Sequence, residues 1–156
     1  MVEEVELREV EESDLPAFFA HQLDPIANQM AAFPARERDA FMTHWLKILA
    51  DDTVVIRTIV HGTEIVGNIV CFEQSGKLMI GYWLGRSFWG RGFASQALRE
   101  FVSQVPVRPL HAFVAKGNLG SIRVLEKSGF EVSGECSNAA ATGGDVVEEF
   151  LYKLAE

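Results

Sequence analysis

The densest run of residues able to do chemistry is Gly81-Tyr82-Trp83-Leu84-Gly85-Arg86-Ser87-Phe88-Trp89-Gly90-Arg91-Gly92-Phe93-Ala94-Ser95. It reads as a strand, a glycine-rich turn and the start of an amphipathic helix. The first N–H groups of a helix have no internal partners, and the macrodipole favours negative charge there, so this turn is an anion site that a pyrophosphate would fill. Gly90 and Gly92 leave no side chain to hold phosphate oxygens off the backbone, and Arg91 could add a charge-assisted contact. Taken alone, a Gly-x-Gly turn before a helix is equally the mark of an ordinary tight turn. Spacing excludes two other phosphate sites. No Lys-Ser or Lys-Thr follows as a P-loop requires, and about twenty residues on, where a dinucleotide fingerprint needs an acid, stand His111 and Ala112.

The elements that must hold this turn follow from hydrophobic period. Val5, Leu7 and Val10 read as a first strand, and Ser13 can cap a helix carrying Leu15, Phe18, Phe19 and Leu23, which Asp24-Pro25 stops. After a linker with Pro34, Phe41, Trp45, Leu46 and Leu49 mark a second helix from Arg36 to Ala50. Three β-branched runs, 53–60, 65–72 and 78–84, are joined by short turns and predict an antiparallel meander. Beyond Gly92 the period changes: Ala94, Ala97, Leu98, Phe101, Val102 and Val105 form one helical stripe, closed by Pro106 and Pro109. A strand, 110–115, then lies where a crossover of this length could set it parallel to the third meander strand. Asn118 caps a last helix that Gly129 ends, and two strands, 130–136 and 146–154, flank a small, polar loop from Ser137 to Asp145.

At 156 residues the chain has the size of one domain, residues 1–156. Its formal charge of -8 disfavours nucleic acid and anionic membranes as partners and favours cationic groups, although acidity also serves solubility. With no apolar run of about 18 residues and no signal-like start, a soluble cytoplasmic protein is the default. Cys71 and Cys136 sit in separate apolar runs and read as buried thiols, and the four histidines show no metal-ligand spacing, so no metal is expected.

The turn resembles the acetyl-CoA loop of the GNAT superfamily of N-acetyltransferases, whose pattern is Gln or Arg, two residues, Gly, one residue, then Gly or Ala. Gly92 and Ala94 fill the last two places, and Trp89 stands in the first, a departure similar to the RimJ/RimL-like branch. Ile80-Gly81-Tyr82-Trp83-Leu84 also resembles that branch, as does Asn118-Leu119-Gly120-Ser121 leading into Gly129-Phe130, its Asn-x-x-Ser helix ending in Gly-Phe. The element order agrees over essentially the whole chain.

The resemblance implies an α+β fold: a mixed, mostly antiparallel central sheet with one splayed parallel pair, flanked by helices, with acetyl-CoA as co-substrate between the splayed strands. It implies that backbone groups of Trp83 and Leu84 pair with the pantetheine arm and polarise the thioester carbonyl. Trp89, Gly90, Arg91, Gly92, Phe93, Ala94 and Ser95 would cradle the pyrophosphate, Asn118 would bond the pantetheine, and Arg123 or Lys127 would reach the adenosine phosphate. The reaction implied is direct attack by a primary amine, of a protein N-terminus or a small molecule, on the thioester carbonyl. The amine must be neutral to attack, and Glu73 is the candidate base, through water; a solvated hairpin carboxylate is its other reading. Many family members place a tyrosine where this chain has Leu125, so Ser121 is the candidate acid, though a helical serine can equally bond its own backbone. Tyr82 and Tyr152 read as core or groove wall. A non-catalytic acyl-CoA sensor would show the same loop. Exposed Trp and Phe on the second helix would permit a homodimer.

Overall fold

In the computed structural model, which describes residues 4–138 and 147–156, the chain forms a seven-stranded sheet with helices on both faces. In chain order the elements are β1 (Glu6–Arg8), a one-turn 3-10 helix (Glu12–Asp14), α1 (Leu15–Gln22), α2 (Pro25–Ala31), α3 (Arg38–Leu49), β2 (Val55–His61), β3 (Glu64–Gln74) and β4 (Lys77–Leu84). A second 3-10 turn (Arg86–Phe88) leads to α4 (Phe93–Gln104), β5 (Leu110–Ala115), α5 (Leu119–Lys127), β6 (Glu131–Asn138) and β7 (Val147–Leu154). The spatial order is β1-β2-β3-β4-β5-β7-β6, antiparallel throughout except for the β4–β5 pair.

Two cores lie on opposite faces of the sheet. Ile69, Ile80 and Leu84 join Leu98, Phe101 and Leu125 of α4 and α5 in the larger one. Phe18, Phe41 and Trp45 of α1 and α3 form the other against Ile56. The stripe read from α4 is the face it buries: Ala97, Leu98 and Phe101 are inside while Arg99 and Glu100 are exposed. Burying side chains of this size contributes about 1.5–3 kcal/mol each.

Several expectations need correction. The first helix does stop before Asp24-Pro25, but the segment read as linker holds a further helix, α2, which Pro25 starts because Asp24 in extended conformation caps Ile26 N–H at 2.9 Å and a proline fits the first helical position. Ser13 does not cap; Glu11 and Asp14 form the capping box, and the chain makes a 3-10 turn before α1. The strand expected to stop at Cys136 runs to Asn138. Most of the expected loop, at 139–146, lies outside the described residues. Cys71 is buried but Cys136 only partly. Phe41 and Trp45, at 5% and 7% exposure, are core residues, which removes the reason for expecting a homodimer.

A polar knot joins the first strand to the sheet. The Asp14 carboxylate accepts from Arg8 Nη1 and Nη2 at 2.7 and 2.8 Å, from Thr58 Oγ1 at 2.8 Å and from Glu11 N–H at 2.9 Å. Burial alone would raise its pKa, but these bonds and the Arg8 charge outweigh burial and hold it below the ordinary value of 3.8. Asp14→Asn is expected to lower stability by about 2–4 kcal/mol, roughly 5–15 °C in a thermal melt. Because the folded pKa is depressed, the carboxylate's contribution is complete above the unfolded pKa and lost as pH falls through the folded one. The gap between wild type and variant should therefore close below about pH 4, which melts taken from pH 7 to pH 3 would check.

Candidate functional site: a cleft where two parallel strands part

β4 and β5 share one register pair, Met79 with His111, near their N-terminal ends. β5 is then paired along its whole length with β7, and β4 along its whole length with β3, so the C-terminal halves of the two parallel strands are free to part. A cleft of about 420 Å³ opens there, bounded by Tyr82, Trp83 and Leu84 of β4, the start of α4, the start of α5 and one side of α2.

At one end of the cleft is the glycine-rich turn. Gly90 and Gly92 have φ of 76° and 80°, a conformation that costs other residues energy. Both line the cleft, and a β-carbon at either position would meet nothing within 4 Å. Gly92 is the N-cap of α4 and no side chain caps that helix, so the N–H groups of its first turn lack a side-chain partner and their helix end faces the cleft. Phe93, Ala94 and Ser95 complete this wall. The Trp89 indole donates to the Leu84 carbonyl at 3.2 Å, and Arg86 pairs with Asp24 at 2.7 Å, fastening the turn to β4 and to the start of α2. Arg91 does not line the cleft: its guanidinium stacks on Phe93, 4.7 Å from the ring centroid, with Phe88 at 6.0 Å.

α5 supplies the facing wall. Asn118 caps it, its side-chain oxygen accepting from Ser121 N–H at 3.3 Å. Ser121 lines the cleft, and its hydroxyl lies 2.6 Å from the Tyr82 hydroxyl rather than on its own helix backbone. Arg123 also lines it, whereas Lys127 does not, and Leu125 faces the core. Burial pushes the Tyr82 phenol up to about 12, and the bond to Ser121 offsets this only in part.

Two assignments change. Gly85 N–H bonds Val66 C=O at 2.9 Å, and backbone groups alternate sides along a strand. Trp83's groups therefore turn toward β3, and those of Tyr82 and Leu84 toward the gap; of the Trp83–Leu84 pair, it is Leu84 whose N–H faces the gap. Glu73 lies outside the cleft altogether. It is exposed and pairs with Leu78, six residues before Leu84, roughly 20 Å from the mouth. The reason is that an antiparallel hairpin brings the end of β3 to the beginning of β4, away from the end where the cleft opens. Tyr82, which reads from sequence only as wall, is brought to Ser121. The signal for it is alternation, since Ile80, Tyr82 and Leu84 share one face and Ile80 and Leu84 pack toward α4 and α5.

The opposite end of the cleft is walled by Ala27, Met30 and Ala31 of α2. Ile26, Met30 and Phe33 are exposed there, and Phe33 meets the Trp83 ring edge-on at 6.3 Å. Among the described residues no Asp, Glu, His or Lys lines the cleft, and the nearby Asp24 is committed to Arg86.

Comparison with known proteins agrees with this architecture. The Bacillus licheniformis protein named Uncharacterized N-acetyltransferase p20 is 28% identical over 86 residues, 53% of this chain and 48% of that protein, so the match spans about half the length of that relative. The solved structure of RimL, a ribosomal L7/L12 alpha-N-protein acetyltransferase in complex with coenzyme A, has a TM-score of 0.82 at 22% identity, covering 97% of this chain and 94% of that one. Spermidine N-acetyltransferase from Vibrio cholerae, in complex with CoA and spermine, has a TM-score of 0.82 at 14% identity, covering 97% and 95%. At these identities the solved structures share the fold. No helix among the described residues is long and apolar enough to cross a membrane. The sequence profile described as Acetyltransferase (GNAT) domain matches residues 4–131, most of the chain, and the chain therefore belongs to the GNAT acetyltransferase family.

Proposed function

We propose that this chain transfers the acetyl group of acetyl-CoA to a primary amine by direct attack. The observation that carries the reading is the uncapped α4 N-terminus, behind two positive-φ glycines, opening into a cleft that continues between parted parallel strands. That cleft has an anion-binding end and an extended strand edge, as a pyrophosphate followed by a pantetheine amide chain requires. Leu84 N–H is the donor for the thioester carbonyl, and Asn118 retains its side-chain N–H2 for the pantetheine because its oxygen serves the helix cap. Acetyl-CoA supplies an activated acyl carbon; a C–N bond forms, the C–S bond breaks, the nitrogen loses a proton and the sulfur gains one. The proton released by the nitrogen balances the one the sulfur gains, and Ser121 donates a hydrogen bond to the departing sulfur as charge develops on it.

The lining has a consequence for the acceptor. Its titratable side chains among the described residues are Tyr82 and Arg123, neither of which takes a proton from an ammonium near neutral pH. The amine then has to arrive neutral, which a peptide α-amine of pKa about 8 does far more readily than a lysine-like amine of about 10.4. The apolar α2 wall and the lack of a lining carboxylate among the described residues also support a peptide-like α-amine over a polyamine. With such an acceptor kcat/KM should rise tenfold per pH unit until it levels at the amine's own pKa; a plateau well below that value would require a base outside the described lining.

A second reading, a non-catalytic acyl-CoA sensor, is favoured by Leu125 in the place where many family members have tyrosine. Calorimetric titration with acetyl-CoA, NAD and ATP, followed by thiol release with peptides, polyamines and amino sugars, separates the two. Selective acetyl-CoA binding with amine-dependent thiol release supports the transferase. Binding without release for any acceptor supports the sensor, and no binding removes both.

A further inference from the structure

We infer that Tyr82 is a positioning residue for the reaction, its hydroxyl donating to Ser121 Oγ across the cleft so that the serine's own proton is directed at the departing sulfur. The inference rests on the reading of Ser121 as the donor to that sulfur. Tyr82 stands on β4 and Ser121 on the first turn of α5, and their hydroxyls are 2.6 Å apart, short even for an O–H···O bond. The serine is held at one further point, its N–H by the Asn118 cap at 3.3 Å; its carbonyl lies 3.5 Å from the same phenol oxygen, a longer alternative acceptor for the one phenol proton.

Direction follows from acidity. Each hydroxyl has one proton to give, and a phenol is a much stronger acid than an aliphatic alcohol, so the phenol is the better donor at the short contact. The serine oxygen then accepts from Tyr82, which polarises its own O–H and leaves that proton for the cleft. Tyr82 is not itself the proton source. Neither hydroxyl gives its proton away: a phenol near 12 would protonate a thiolate whose acid is near 8.5 only against a gradient of more than a thousandfold, and the weaker serine acid against a larger one. Both stay protonated, and Ser121 acts as a hydrogen-bond donor to the charge developing on sulfur. The part of Tyr82 is to fix one rotamer of a side chain that would otherwise sample three, including the one that bonds its own helix backbone.

The test is a double-mutant cycle on kcat with CoA affinity measured alongside. Tyr82→Phe keeps the ring and removes the hydroxyl; kcat is expected to fall about tenfold while the Kd for acetyl-CoA changes less than twofold. In the Ser121→Ala background the same change should cost nothing further, since Tyr82 acts only through Ser121. Wild-type kcat in Tyr82→Phe overturns the inference, as does an equal loss in both backgrounds. If Ser121→Ala itself retains wild-type kcat, the reading of Ser121 fails first and takes this one with it, and that outcome is distinct from a defective Ser121→Ala beside an unaffected Tyr82→Phe. A measurement independent of turnover uses the fact that the chain has two tyrosines, Tyr82 and Tyr152. In 3-fluorotyrosine-labelled protein, Ser121→Ala should move one fluorine resonance, that of Tyr82, and leave the other in place; two unmoved resonances would show that the hydroxyl pair does not exist in solution.

Discussion

Gly92→Val is expected to weaken acetyl-CoA binding by about a hundredfold or more. At φ of 80° the residue is in a region that a β-branched side chain enters only at a cost of order 1–3 kcal/mol. Nothing lies within 4 Å of the new Cβ, so the valine meets no protein wall and projects into the cleft that Gly92 lines. It would stand in front of the first-turn N–H groups of α4, which no side chain caps. Each hydrogen bond to a charged group contributes about 1.5–3 kcal/mol, so losing one or two accounts for the expected factor. The strain needs its own control, and Gly76 provides it: φ is also 80°, space is also open, and it sits in the β3–β4 turn at the end of the sheet away from the cleft. Gly76→Val should show a similar drop in melting temperature with unchanged titration by acetyl-CoA. Wild-type affinity in Gly92→Val would remove the phosphate from this turn, and equal loss in both variants would assign the effect to strain.

The part of the fold that holds the cofactor end is legible in the sequence because it is governed by local rules. The change of period at Gly92, the prolines after α4 and Asn118 before α5 each act within a turn or two of themselves, and the observed α4, β5 and α5 follow them. The splay is legible only by resemblance. No residue in β4 or β5 announces it; it shows only in the pairing of the whole sheet, where each strand is fully paired on its other side and the two share a single register pair. α2 escapes a sequence reading because Asp-Pro can end one helix and begin the next, and only the extended backbone of Asp24 decides which. Glu73 misleads for a related reason: its place along β3 says nothing of the cleft until the antiparallel register puts it beside Leu78. The Tyr82–Ser121 contact joins positions 39 residues apart, beyond any spacing rule.

Ser121→Ala is expected to lower kcat by about a hundredfold, the lower end of what removing one placed donor to developing charge costs, with little change in the Kd for acetyl-CoA. The serine hydroxyl faces the cleft from the first turn of α5 and bonds Tyr82, so its removal takes nothing from the glycine turn or from the Asn118 cap, which uses the backbone N–H of residue 121. An interaction made mainly as charge develops on sulfur lowers kcat and kcat/KM together, whereas a packing defect at the pantetheine would raise the KM for acetyl-CoA. The variant should also lose about 1 kcal/mol of stability, because the half-buried Tyr82 hydroxyl keeps only the longer 3.5 Å contact to the carbonyl of residue 121. Ser121→Thr separates the two effects: it returns a hydroxyl to the same backbone position and should recover most of the rate even if its extra methyl group lowers the melting temperature. A rate that follows the hydroxyl through serine, alanine and threonine locates it at the departing sulfur. A rate that follows the melting temperature instead assigns Ser121 to the wall of the cleft, and C–S cleavage then proceeds without help from α5.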